Sequence, residues 1–157
     1  MQSQNKIRDV NFTYTLDGPG WATATLTASD QSVSMTVSYL HDSLRELATS
    51  VLRLQAGESE AKVIFMDEPG EHHLLLKRVG ENLNLEVIWF DDWASWKLTP
   101  DRKPRSLITV IVPLAEFHYA VTKALAGLLD SFGLEGYKKK WIEHEFPLKE
   151  FEALRAS

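Results

Sequence analysis

The chain has 157 residues, 44% hydrophobic and 25% charged, with a net charge of −5 and no cysteine. Those proportions describe one soluble globular domain, residues 1–157, long enough to bury its own core. The lack of cysteine excludes disulfides, thiolate nucleophiles and Cys-ligated zinc or iron–sulfur sites.

Residues 10–16, VNFTYTL, alternate apolar and polar, the period of a half-buried strand. Asp17-Gly18-Pro19-Gly20 then turns the chain into a Thr-rich strand, WATATLTA (21–28). After Ser29-Asp30-Gln31, SVSMTVSY (32–39) forms a third. Three strands with tight turns predict an antiparallel meander with one solvated face. The period then changes. Leu44, Leu47, Ala48, Val51 and Leu52 share a helical face. Ser43-Leu44-Arg45-Glu46 matches a capping box and Gly57 ends the helix.

Strands resume with AKVIFMD (61–67) and HHLLLKRV (72–79), joined by Glu68-Pro69-Gly70-Glu71, where Pro then Gly suits a type II turn. LNLEVIWFD (83–91) follows, and a long connection (92–104) leads to SLITVIV (106–112). The apolar runs Leu74–Leu76 and Leu107–Val112 suggest central strands covered in part on both faces. From Pro113 a helical stripe runs through Leu114, Phe117, His118, Val121, Leu125 and Leu128 to Phe132, with Gly133 as its stop. GYKKKWIEH (136–144) reads as a short helix with Tyr137 and Trp141 on one face, and Pro147 starts a last one. The predicted fold is α+β: a largely antiparallel sheet of about seven strands, order βββ-α-ββββ-αα, with helices on one face.

The longest apolar run, LITVIVPLA at 107–115, is far short of the roughly 20 residues of a spanning helix. The first residues, MQSQNKIRDV, lack an apolar leader core. The expected setting is cytoplasmic, without a membrane. Residues 57–101 carry ten acidic and four basic side chains, residues 102–157 seven and nine. An acidic middle disfavours a nucleic-acid backbone and favours a basic protein partner. The basic runs Lys138–Lys140 and Arg102-Lys103-Arg105 read as solvated faces.

His72 and His73 are neighbours on a strand, so they point to opposite faces and do not share a metal. His118, on the apolar helix stripe, reads as a core histidine bonded through one ring nitrogen. Neither a Ser-His-Asp order, a phosphate loop, HExxH nor a nucleophile elbow is present. No catalytic residue, cofactor or metal site is therefore expected.

Trp89 alternates with Leu83, Leu85 and Val87 and is expected in the core; Trp21 and Trp141 read as packing residues. That leaves FDDWASW at 90–96. In a meander, the turn carrying Asp67, Glu68 and Glu71 and the strand end carrying Asp91 and Asp92 lie at the same end of the sheet. Trp93 and Trp96 follow no strand period. They either fold back or stand exposed as anchors, a role for which tryptophan is favoured at interfaces. The candidate contact set is Asp67, Glu68, Glu71, Asp91, Asp92, Trp93 and Trp96.

Taken together, GWATATLTASD, SYLHDSLRELATSVLRLQAG, DEPGEHHLLLKR, LEVIWF and EGYKKKWIEHEFPLKEFEAL resemble a group of small uncharacterised bacterial α+β proteins. Some of that group look like immunity partners of polymorphic toxins. The resemblance lies in turns and core positions and brings no active site. It implies a cytoplasmic binding protein. Three functions are thus weighed: a protein-binding module that docks a basic partner through the acidic, Trp-bearing rim; a carbohydrate or small-molecule binder using the same rim; and a structural homo-oligomer, for instance a dimer through Tyr137 and Trp141.

Overall fold

The computed structural model describes residues 9–93, 104–142 and 144–157. Its first sheet follows from strict alternation. β1 (Val10–Gly18), β2 (Trp21–Ala28) and β3 (Gln31–Ser38) pair antiparallel in the order β1-β2-β3. Phe12, Tyr14, Leu16, Leu26, Met35 and Val37 are buried on one face. The other face is a field of hydroxyls. Thr13 pairs with Thr25 and Thr25 with Ser34. The Thr25 and Ser34 hydroxyls lie 3.0 Å apart, those of Thr27 and Ser32 3.1 Å. Trp21 belongs to this outer side and is 36% exposed, so it is not the packing residue expected. Its place at the first position of β2 puts it out of phase with Ala22, Ala24 and Leu26.

α1 (Ser43–Gln55) buries Leu44, Leu47, Ala48, Val51 and Leu54 and lies against the next strand. Each such aliphatic side chain contributes about 1.5–3 kcal/mol relative to exposure, Ala less. The capping box does not form. Asp42 is the N-cap residue and its side chain makes no cap bond. The Ser43 hydroxyl instead donates to the carbonyl of Ile64 at 2.6 Å, and Glu46 Oε1 accepts from the Ile64 N–H at 2.7 Å. The box residues thus satisfy the outer edge of β4 rather than the helix terminus.

β4 (Glu60–Met66), β5 (Glu71–Val79), β6 (Asn82–Phe90) and β7 (Arg105–Pro113) form a second antiparallel meander. The element order is βββ-α-ββββ-αα, and the seven strands divide into sheets of three and four. Val63, Phe65, Leu74, Leu76, Leu85 and Val87 face the common core. β7 is an edge strand, and its outward Leu107 and Ile111 are 42% and 41% exposed. The apolar run there does not mark a strand covered on both faces.

α2 (Leu114–Trp141) packs on β1 and β7, and α3 (Leu148–Ala156) on α1 and α2. Gly133, with φ +68° and ψ 177°, breaks the helical path of α2 where a stop was expected. Tyr137 and Trp141 beyond it are fully buried, with Trp141 edge-on to Tyr14 and Tyr137 edge-on to Phe146. Because the chain itself covers them, they offer no dimer face. His118 is half-buried rather than in the core as expected, though it donates from Nε2 to the Leu154 carbonyl at 2.8 Å, the single-nitrogen tether expected of it. His144 donates from Nε2 to the Tyr39 carbonyl at 2.8 Å. No helix among the described residues is long and apolar enough to cross a membrane.

Candidate functional site

The β4–β5 turn and the end of β6 meet at one end of the four-stranded sheet. Their side chains are fixed by the turn geometry. Asp67 donates its N–H to the Gly70 carbonyl at 2.9 Å, closing the hairpin. The Glu68–Pro69 peptide bond is cis, not the trans bond of the type II turn expected. Gly70 has φ +92°, and a Cβ there would run into the indole of Trp89. Trp89 is only half-buried, because it rests on this turn at the rim rather than in the core. Its ring packs on His72 with centroids 4.7 Å apart, and its N–H donates to Asp91 Oδ1 at 2.7 Å.

Trp93 folds back. Its indole N–H donates to the Asp67 carbonyl at 2.8 Å and its backbone N–H to Asp92 Oδ1 at 2.8 Å, leaving the side chain half-buried. This bond physically joins the end of β6 to the β4–β5 turn. Asp67 Oδ1 in turn accepts the Glu68 N–H at 2.7 Å, and Glu68 Oε2 accepts the hydroxyl of buried Ser38 from β3. Asp67, Glu68, Asp91, Asp92 and Trp93 are therefore brought together as expected. Glu68 is exposed, and Asp67, Asp91, Asp92 and Trp93 are half-exposed. Trp96 lies outside the described residues.

Glu71 departs from the group. It has no exposed surface and accepts a hydrogen bond from His73 Nε2. Strand alternation explains this: Glu71 and His73 stand at i and i+2 and share a face, whereas His72 points to the core. The His73 ring packs on Phe90 with centroids 4.3 Å apart. Glu71 thus supports the site from beneath and contributes no contact surface. The spacing was visible in Glu71-His72-His73, but the acid reads as a turn residue when the hairpin is placed by its Pro-Gly.

Two histidines show shifted protonation. His72 is pushed down to about 4, mainly because burial disfavours its charged form and secondarily because His73 repels it. Its Nδ1 is buried without a hydrogen-bond partner. His41, at the entry to α1, is raised chiefly by its 2.8 Å hydrogen bond to Glu46, with burial opposing. Among the described residues, no group of three or more His, Asp or Glu side chains is placed to hold a metal ion. What the end of the sheet presents is a set of oriented surface carboxylates beside an indole.

Compared with known proteins, the chain matches no family model, no curated protein and no solved structure.

Proposed function

We propose that the protein is a non-catalytic protein-binding module, of the immunity or antitoxin kind, that docks a basic partner through the β4–β5 end of its second sheet. The observation that carries this reading is the Trp93–Asp67 hydrogen bond, which ties the strand end bearing Asp91 and Asp92 to the turn bearing Asp67 and Glu68. Each of Asp67, Glu68, Asp91 and Asp92 already accepts an intramolecular hydrogen bond. Their orientation is set before binding, so less rotamer freedom is lost on association. Carboxylates so placed would accelerate the approach of a positively charged surface, and the half-buried indole would anchor it.

The test is affinity capture from the native host's lysate at two salt concentrations, with partners identified by mass spectrometry. Wild type is compared with Asp67→Asn/Glu68→Gln/Asp92→Asn, which keeps an acceptor oxygen at each position. A basic protein held by wild type, released by salt and lost by the triple variant supports the reading. Truncation of Trp93 to Ala should weaken the same complex by about 2 kcal/mol. A partner retained equally by wild type and the neutralised variant sinks it.

A further inference from the structure

We propose that Trp21 is a platform for an arginine side chain of the partner, stacking its indole on the guanidinium between the carboxylates of Asp17 and Glu68. The inference rests on the reading of a basic protein partner and extends that surface from the rim onto the first sheet. The starting observation is a large aromatic ring in a field of hydroxyls. Trp21 opens the central strand β2 on its outer face and is 36% exposed. At the next three outward positions the strand carries Thr23, Thr25 and Thr27. Among the described residues the Trp21 ring packs on no other aromatic, and its indole N–H bonds to nothing. Its cross-strand neighbours are small, Gly18 on β1 and Ser38 on β3. A Cβ added at Gly18 would meet nothing within 4 Å, so that side of the strand is open.

A carboxylate is held on either side of the ring. On the β1 side, Asp17 accepts the hydroxyl of Thr23, the next outward residue of β2, at 2.5 Å. On the β3 side, Glu68 accepts the hydroxyl of Ser38, which lies directly across from Trp21. Side chains so opposed have Cβ atoms about 4.5–5.5 Å apart. One oxygen of each carboxylate is used to fix its position. The other oxygen has no hydrogen-bond partner among the described residues, and neither carboxylate forms an ion pair there. The basic run behind the turn is directed elsewhere. Lys140 takes the Gly20 N–H on its carbonyl at 2.7 Å, but its ammonium lies 5.9 Å from the centroid of Phe132. Lys138 Nζ is 3.6 Å from Glu145 Oε2, and Lys139 makes no ion pair among the described residues.

The chemistry selects a planar cation. The π-face and both carboxylates are negative, and no cation among the described residues neutralises them. A neutral sugar would use the ring but leave both charges unpaired. An ammonium is a compact, strongly hydrated point charge. A guanidinium is flat and more weakly hydrated, and it keeps N–H groups on its edges while its face stacks. It therefore suits the indole together with the remaining carboxylate oxygens, which would accept charge-assisted hydrogen bonds. Glu68 also belongs to the rim, so an arginine here and basic residues at Asp67 and Asp92 would lie on one face of one partner.

Titration of the full chain with N-acetyl-arginine amide, followed by NMR at the Trp21 indole N–H, tests this. The resonance is assigned by its absence from Trp21→Leu. Its shift should saturate with arginine, be smaller with the lysine amide, and vanish with the citrulline amide, which keeps the shape without the charge. The indoles of Trp89 and Trp93, already bonded to Asp91 and Asp67, should move less. Asp17→Asn and Glu68→Gln keep an acceptor for Thr23 and Ser38, and each should weaken binding about two- to fivefold. Gly18→Leu fills the open side and should abolish the shift with circular dichroism unchanged, whereas Asp67→Asn/Asp92→Asn should leave it. A Trp21 resonance unmoved by arginine overturns the proposal, even if a basic partner is captured through the rim. So does an equal shift with citrulline amide, or one with cellotetraose alone, which would make the ring a sugar platform. A saturable, charge-dependent shift upholds the arginine site even where no partner depends on the rim, and then the rim reading alone falls.

Discussion

At the β4–β5 end Asp67, Glu68, Glu71, Asp91 and Asp92 each accept a hydrogen bond from a nearby donor. Beneath the C-terminal part of α2 the opposite holds. Tyr14 Oη, Tyr137 Oη, Trp141 Nε1 and Asp42 Oδ1 are buried with no hydrogen-bond partner. The Tyr14 and Trp141 rings lie 6.4 Å apart and those of Tyr137 and Trp141 6.5 Å, so this is one aromatic cluster. Burial raises the pKa of both phenols, first by desolvation and then through Asp42, preceded at Tyr14 by Tyr137. The first region uses polar groups for orientation. The second uses polar residues mainly for their ring surface, which packs the joint between the first sheet and α2. The difference teaches where polar atoms are informative: bonded carboxylates at an accessible rim point toward recognition, orphaned hydroxyls inside an aromatic cluster point toward packing.

The largest effect should come from breaking the bonded region at its buried member. Glu71→Ala removes the acceptor of His73 in a place water does not reach. Loss of one partner of a buried pair costs about 3–5 kcal/mol. Urea unfolding should therefore lose about 3 kcal/mol or more. Glu71→Gln, which keeps an acceptor oxygen, should lose less. If the two variants unfold at the wild-type midpoint, the pair is not holding the outer face of the sheet.

His72 sharpens the comparison, because it packs on Trp89 at the rim yet shares the second region's unpaired state. Its usual pKa of 6.5 falls to about 4 in the fold. Between those values the unfolded chain binds more protons than the folded one. Stability present near neutral pH is thus lost as pH drops from 6.5 toward 4, by at most about 3 kcal/mol. His41 works in the other direction, since its raised pKa contributes stability below pH 6.5 that is lost as pH rises through its folded value. The check is to compare wild type with His72→Gln at pH 7.5 and pH 4.5. The variant should lose less stability on acidification; equal losses would mean His72 is solvated as an ordinary surface histidine.

How much of this was legible in the chain differs between the same two regions. Period-2 alternation placed β1, β2 and β3, and the change to helical spacing placed α1, because these patterns record which face is buried. The convergence of Asp67, Glu68, Asp91 and Asp92 followed from meander topology alone. Glu71 did not, since a strand's first residue and a turn's last residue look alike until the register is known. Trp21 was misread because strand membership was mistaken for phase. The Ser43–Glu46 capping box was misread because a local motif competes with a neighbouring strand edge, and the edge of β4 won. No local pattern could show that seven strands would part into sheets of three and four, a choice made by long-range packing.

The smallest predicted effect concerns the orphaned hydroxyls, and there the sign matters more than the size. A buried polar atom with no partner has lost its hydration without return. Tyr137→Phe keeps the ring contacts with Trp141 and Phe146 and removes only that atom. Stability should stay level or rise by up to about 1 kcal/mol. Tyr14→Phe should behave alike, and the pair should be less than additive, because both phenols face the same Asp42 charge. A loss of about 1 kcal/mol in either variant would show that the hydroxyl is bonded in solution, through internal water or a shift of Asp42. The aromatic cluster would then be a second polar network, and the contrast with the rim would disappear.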